Sequence, residues 1–171
     1  EDADRSLMSM AGLDEDADTF APFTRAAPRR AIWLGINLIT AFIAASVINL
    51  FQDTIEKVVA LAVLMPIVAS MGGVAGTQTL TLVVRGIAMG QVVKNNQAWL
   101  VNRELMIGVM NGVLWASVVA IAASLWFHDW NIGLLIAAAM VINLVTAALM
   151  GAVLPLLMTR VKIDPALAGG V

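Results

Sequence analysis

Met71-Gly-Gly-Val-Ala-Gly-Thr-Gln-Thr79 lies inside an uncharged run that extends from Val58 to Val84. That run is long enough to cross a bilayer as a helix, which takes about 20 apolar residues. Three glycines, two threonines and one glutamine within the stretch are nevertheless a poor surface for hydrocarbon. At membrane depth, polar groups and irregular backbone are tolerated where protein or a water-filled cavity satisfies them. The stretch therefore predicts a polar pathway through a membrane.

The composition of the whole chain also indicates a membrane protein. Hydrophobic residues make up 60% of its 171 residues and charged residues 13%, and the mean hydropathy is +0.88. Soluble domains have a much larger charged fraction. Four uncharged runs reach the length of a span, at about 31–51, 58–84, 105–127 and 130–159. We therefore predict an all-α membrane protein, a polytopic helical bundle with four transmembrane helices in this chain, the last of which must tilt, bend at Pro155 or project from the bilayer.

Basic residues are concentrated in alternate connections. They lie before the first span, throughout the connection 85–104 and after the fourth span, whereas the other connections contain only Lys57. Positively charged loops stay on the cytoplasmic side, so both the N-terminus and the segment after the fourth span are predicted to be cytoplasmic. We divide the chain into an acidic linker helix and loop at 1–28, a transmembrane domain at 29–159, and a cytoplasmic turn at 160–171 that begins a further, truncated span.

Oxygen atoms along the second span are the main candidate ligands for an ion in the pathway. The set comprises Gly72, Gly73, Val74, Ala75 and Gly76, which offer backbone oxygens, and Thr77, Gln78 and Thr81, which add side-chain oxygens. The alternative is that the glycines only form a small-residue packing face between helices. Packing alone does not explain the glutamine and the threonines on the same short segment.

Other ionisable and amide side chains are weaker candidates. Glu56, in the loop before the second span, could concentrate cations at a pore mouth, or could pair with Lys57 or cap the next helix. Asn37 could face the pathway, but an amide inside a span more often bonds a neighbouring helix, which we also expect of Asn49, Asn111 and Asn143. The acidic run at 14–18 could bind a divalent cation at a gate, or could be a solvated linker. Its carboxylates belong to Asp14, Glu15, Asp16 and Asp18.

The sequence contains no catalytic motif. It has no H-E-x-x-H pattern and no P-loop, and its single histidine, His128, lies in a predicted turn. With no cysteine, it also has no thiolate ligands for a metal. We therefore predict that the protein is not an enzyme, and that its surroundings are a lipid bilayer and other protein chains with no nucleic acid.

The stretch Met65-Pro-Ile-Val-Ala-Ser-Met-Gly-Gly-Val-Ala-Gly-Thr-Gln-Thr-Leu-Thr-Leu-Val-Val-Arg-Gly-Ile-Ala88 resembles the second transmembrane helix of the bacterial MgtE magnesium channels, and the segments 30–38, 51–57 and 164–166 are also similar. The resemblance implies a homodimer in the bacterial inner membrane with five transmembrane helices per subunit, gated by soluble cytoplasmic domains. This chain would then lack those domains and the fifth helix. Mg²⁺ would be the transported ion and a ligand at the gate. The family has asparagine after the paired glycines, where this chain has Val74.

These observations predict a passive channel domain for a divalent cation, most consistent with Mg²⁺, with the second helix lining a pore at the centre of a dimer. Because Mg²⁺ releases its water reluctantly, a selective pore needs oxygen-lined walls for a hydrated ion and few acids. The alternatives are a secondary Mg²⁺ exchanger coupled to Na⁺ or H⁺, and a membrane module that only packs or anchors partners. Leucine at Gly76 is expected to abolish transport, and leucine at Gly133, near a loop, to be mild.

Overall fold

The computed structural model describes residues 23–165, apart from the side chains at positions 23, 25, 26 and 29. This part of the chain forms helices and no strands, which confirms the all-α fold class. The helices are α1 (Phe23–Asn49), α2 (Gln52–Lys57), α3 (Val59–Ala88), α4 (Gln97–Phe127) and α5 (Trp130–Arg160). The acidic run at 14–18 and the segment 166–171 lie outside the described residues, so the predictions made for them stay predictions.

Four helical segments are long and apolar enough to cross a membrane, as predicted. They are Arg30–Asn49, Val59–Ala88, Gln97–Phe127 and Trp130–Arg160. The third begins well before the predicted position 105, because the polar residues Asn102, Arg103 and Glu104 continue the same helix. Hydropathy marks where lipid-compatible sequence begins, whereas a helix can extend beyond that point through polar residues, of which Arg103 and Glu104 have good helix propensity.

The helices α3, α4 and α5 form the core, and α5 packs along both of the others. Against α4 it runs antiparallel, with Gly133 beside Ser124 at one end and Ala148 beside Gly108 further along. Glycines and alanines at these crossings let the two backbones approach closely, which is how helices associate in a membrane.

Against α3, the helix α5 runs parallel. Asn143 lies beside Gly72, and two turns later Gly151 lies beside Gly76. A Cβ atom added to Gly151 would be only 2.7 Å from the carbonyl oxygen of Gly76 and 3.0 Å from the Cβ of Thr79. Real Cβ atoms do not approach other atoms so closely, so this crossing requires the glycine.

Gly133 is also tightly packed, although it lies near a loop. A Cβ atom there would be 2.7 Å from the carbonyl oxygen of Ala120 and would overlap the hydroxyl of Ser124. This contact contradicts the expectation that leucine at Gly133 would be mild. Position along the chain suggested free space, whereas the antiparallel pairing of α4 and α5 removes it.

The connections set the directions of the helices. His128 ends α4 in the left-handed conformation, at a φ of 56°, and the Asp129 carboxylate accepts a hydrogen bond of 2.8 Å from the Asn131 backbone N–H. This tight turn makes α4 and α5 antiparallel. At the opposite end, where α3 ends and α4 begins, Arg160 donates to the Gln97 side-chain oxygen at 3.1 Å. We call that end, which carries Arg85, Lys94, Arg103, Arg160 and Lys162, the basic end.

The first helix stands apart from this core. α1 makes no extensive contact with the other described helices, and none of the apolar window within Arg30–Asn49 is buried. Large side chains such as Phe42 and Ile39 are more than 60% exposed, at 64% and 62%. In a bilayer such a helix meets lipid or another protein chain.

Candidate functional site

The glycine-rich segment remains helical within α3, which is continuous from Val59 to Ala88. Its backbone carbonyls therefore belong to a regular helix. What distinguishes one residue of the segment from another is the face of the helix on which it lies. At about 100° per residue, Gly72, Gly76, Leu80 and Val83 fall on one stripe of the helix. That stripe contains the buried residues of the segment and packs on α5.

The nearly opposite face of α3 is open. It carries a groove of about 550 Å³. The residues that line it are Gly73, Val74, Thr77, Gln78 and Thr81. A Cβ atom on Gly73 would have no neighbour within 4 Å, so the groove continues over the glycine backbone. We refer to this surface as the α3 groove.

The sequence-predicted ligands therefore divide between the two faces. Five of them line the α3 groove, whereas Gly72 and Gly76 face α5 and Ala75 packs beside a buried cluster that includes Met140. The sequence presented pore lining and helix packing as competing interpretations of one segment. In the folded chain the packing interpretation describes one face of the helix, and the opposite face remains open.

The polar atoms of the α3 groove suit a hydrated cation. The Thr77 hydroxyl donates to the Gly73 carbonyl oxygen at 2.8 Å, which leaves its oxygen lone pairs free to accept. Among residues 23–165, the Gln78 amide and the Thr81 hydroxyl have no hydrogen-bond partner. The groove thus presents neutral oxygens on an otherwise apolar wall. No set of three or more His, Asp or Glu side chains that could hold a metal occurs in this described range.

The weaker candidates lie away from the groove. Glu56, on α2, accepts a hydrogen bond of 2.7 Å from the Gln52 amide and lines a separate hollow with Asn49. Asn37 is exposed on α1, where its carbonyl accepts from the Thr40 hydroxyl at 2.8 Å. Within one copy of the chain, neither residue is brought to the α3 groove.

Asn143 bonds a neighbouring helix, as predicted for amides inside spans. Its side-chain N–H donates to the Val68 carbonyl oxygen at 2.5 Å, from α5 to α3. The amide occupies the space over Gly72, where any side chain would collide with it. This contact holds α3 in place one turn before the α3 groove begins.

Glu104 is a residue that sequence reasoning missed. This residue of α4 is only 4% exposed, and its carboxylate accepts a hydrogen bond from the Thr79 hydroxyl at 3.3 Å. The third predicted span begins at 105, which leaves Glu104 at the end of the connection 85–104. The available signal was its spacing from Leu100 and Gly108, four residues to either side, since residues four apart share a helix face.

Comparisons with known proteins identify a family and several relatives for this chain. A family model described as "MgtE: Divalent cation transporter" matches residues 65–171. Magnesium transporter MgtE of Bacillus subtilis is 32% identical over 99% of this chain, and that of Enterococcus faecalis is 29% identical over 99%. Magnesium transporter MgtE of Thermus thermophilus is 29% identical over 81% of it.

The chain spans 37% of the length of the first two of these relatives and 30% of the third. The family model begins at Met65 and so includes the α3 groove, most of α3, and the whole of α4 and α5. These matches extend through the segment that first indicated a polar pathway, and the chain belongs to the MgtE family of divalent cation transporters.

Proposed function

We propose that the α3 groove is one wall of a passive pathway through which Mg²⁺ crosses the membrane. The observation that carries this proposal is the division of α3 into two faces. One face packs on α5. On the other face Thr77, Gln78 and Thr81 are exposed, although the helix is long and apolar enough to span a membrane. Polar side chains in a span face a cavity or another protein chain because lipid cannot satisfy them.

The chemistry of the groove favours a hydrated ion over a dehydrated one. Magnesium binds oxygen, prefers octahedral geometry and usually keeps several of its waters. A wall of hydroxyl and amide oxygens can bond to those waters, and water-mediated bonds are nearly as favourable in enthalpy as direct ones. No acidic cluster is needed for this mode of recognition. Thr77, Gln78, Thr81 and the backbone at Gly73 and Val74 are the proposed contacts.

A second copy of the chain would complete the pathway. The α3 groove has a wall on one side only, and α1 has no extensive contact with the rest of the described chain. In a homodimer with α3 at its centre, two grooves would face each other and enclose a pore. Soluble cytoplasmic domains and a fifth helix, both implied by the resemblance, would gate and complete it, and the acidic run at 14–18 is a candidate for Mg²⁺ binding at the gate.

The driving force for uptake would be the membrane potential. With the basic end on the cytoplasmic side of a bacterial inner membrane, as its positive charges indicate, Mg²⁺ would move inward. An inside-negative potential supplies about 2.3 kcal/mol per charge per 100 mV, or roughly 4.6 kcal/mol for a divalent ion. No other energy source is then required.

Flux into proteoliposomes that contain the complete subunit, with the fifth helix that the resemblance implies, tests the proposal. We expect Mg²⁺ uptake to increase with an imposed inside-negative potential and to be independent of Na⁺ and pH gradients. Uptake that requires either gradient would instead identify an exchanger, and absence of flux would favour a packing or anchoring module. Parallel measurements with Mn²⁺, Co²⁺ and Ca²⁺, each alone, would establish the selectivity.

Asparagine in place of Val74 should preserve Mg²⁺ flux or raise it modestly. Val74 is 54% exposed in the α3 groove, so an amide there remains accessible and can bond to an ion's water. Thermal stability should be unchanged, because no unpaired amide is buried. A buried one would cost about 1–3 kcal/mol. Flux and thermal unfolding of Val74→Asn, measured together, check this, and a destabilised protein would place the side chain against a neighbouring helix.

A further inference from the structure

Glu104 is a buried carboxylate inside a membrane-spanning helix. Its residue is 4% exposed, and Arg103, the next residue on α4, pairs with one of its oxygens at 2.7 Å. The Arg103 side chain is 45% exposed, so the pair reaches from the core of the bundle to its surface near the basic end. Carboxylates in such places are costly, and they usually have a functional role.

The second oxygen of Glu104 accepts a hydrogen bond from the Thr79 hydroxyl of α3 at 3.3 Å. The helices α3 and α4 touch only over a short region, in contrast to the extensive packing of each on α5. One turn away, Leu100 of α4 and Val83 of α3 belong to the same buried apolar cluster. Apolar contacts of this kind are non-directional, whereas a hydrogen bond has a direction and so favours one orientation of α3 relative to α4.

Thr79 lies where three helices meet. Its hydroxyl bonds to α4, and its Cβ is 3.0 Å from the position that a Cβ on Gly151 of α5 would occupy. The next residue toward the groove is Gln78, about 100° around the same helix. A rotation of α3 that lengthened the bond to Glu104 would therefore turn Gln78 and Thr81 as well.

We propose that Glu104 is a positioning residue, which holds Thr79 and thereby fixes the orientation of the α3 groove. This inference concerns the orientation of the groove, and its consequence for transport rests on the proposed function. Asn143 bonds α3 through Val68 before the groove, and Glu104 bonds it through Thr79 within it. The groove oxygens of Gly73, Thr77 and Gln78, which lie between Val68 and Thr79 along α3, are then held at fixed positions.

The absence of cysteine from the 171 residues permits a test that does not depend on flux. A cysteine introduced as Gln78→Cys can be labelled with a charged, membrane-impermeant thiol reagent. We expect Thr79→Val, which removes the hydroxyl and keeps the shape, to change the labelling rate at least about threefold, since a typical hydrogen bond shifts an equilibrium by about that factor or more. Thr79→Ser, which keeps the hydroxyl, should restore the original rate.

Two further variants sharpen the comparison. Thr159→Val removes a hydroxyl that bonds within α5, to the Pro155 carbonyl, and should leave the labelling rate unchanged. Glu104→Ala should alter the rate as Thr79→Val does, and combining the two should add nothing, because both remove the same bond. Maximal Mg²⁺ flux and the Mg²⁺ concentration that gives half of it are measured in proteins that retain Gln78. The maximal flux should be lower in Thr79→Val and should recover in Thr79→Ser.

The possible results separate the two proposals. An unchanged labelling rate in Thr79→Val, no recovery with serine, or a general loss of thermal stability in place of a local change would overturn the role of Glu104. An altered labelling rate with unchanged flux would support that role and would overturn the α3 groove as the ion pathway.

Discussion

Tryptophan in place of Val74 should abolish Mg²⁺ flux while the protein remains folded and inserted. Val74 lines the α3 groove and is 54% exposed, so a large side chain can enter the groove without disturbing the packing on α5. In the proposed dimer, two indoles would face each other across the pathway. We expect the rate of uptake in proteoliposomes to fall by more than about tenfold, since the two indoles would fill the space between the facing grooves.

Val113 offers a matched control for this substitution. It lies on the outer face of α4 and is 55% exposed, almost the same as Val74. Tryptophan at Val113 adds the same bulk to an equally exposed valine and should leave uptake near the unsubstituted level. Equal losses in the two variants would mean that bulk anywhere on the bundle impairs the protein, and would contradict the pathway.

Leucine in place of Gly151 should produce a large loss of stability. A Cβ atom alone would be 2.7 Å from the Gly76 carbonyl oxygen and 3.2 Å from the Leu80 backbone nitrogen, so α3 and α5 must separate. Overpacking in a well-packed core costs about 1–3 kcal/mol, and we expect the upper end here because backbone atoms cannot move aside. Thermal unfolding in detergent, followed by the fluorescence of the five tryptophans, measures the effect.

The control for Gly151→Leu is Gly73→Leu. A Cβ atom on Gly73 meets nothing within 4 Å, and leucine is a better helix former than glycine by roughly 1 kcal/mol in water. Gly73→Leu should therefore keep its melting temperature or raise it, although it should reduce flux by narrowing the α3 groove. If the two leucine variants melted at the same temperature, the close crossing of α3 and α5 would be refuted.

The same crossing changes what leucine at Gly76 would mean. A Cβ atom there is in ordinary contact with Ala147, at 3.7–3.8 Å, but the rest of a leucine side chain would press against α5. Loss of transport in Gly76→Leu would then follow from displaced helices as readily as from a blocked pore. Val74→Trp and Gly73→Leu are the cleaner tests, because both positions open onto the groove.

The amino-acid sequence by itself determined that the chain forms four helices long and apolar enough to cross a membrane. Hydropathy and helix length are properties of consecutive residues, and a bilayer requires about 20 of them per span wherever they pack. The sequence also located the polar segment of α3, since glycine, threonine and glutamine are out of place in an apolar run. The family resemblance, carried by residues 65–88, was likewise evident at that level.

Only the tertiary structure decided which atoms of that segment face the groove. The division depends on where α5 lies, and α5 is brought beside α3 by contacts between residues far apart in the chain, such as Asn143 with Val68. For the same reason the sequence indicates a polar connection at Glu104, whereas in the structure this residue lies within α4 and its carboxylate accepts a hydrogen bond from Thr79. Composition specifies the kind of surface a helix carries, whereas its packing partners decide which part of that surface remains open.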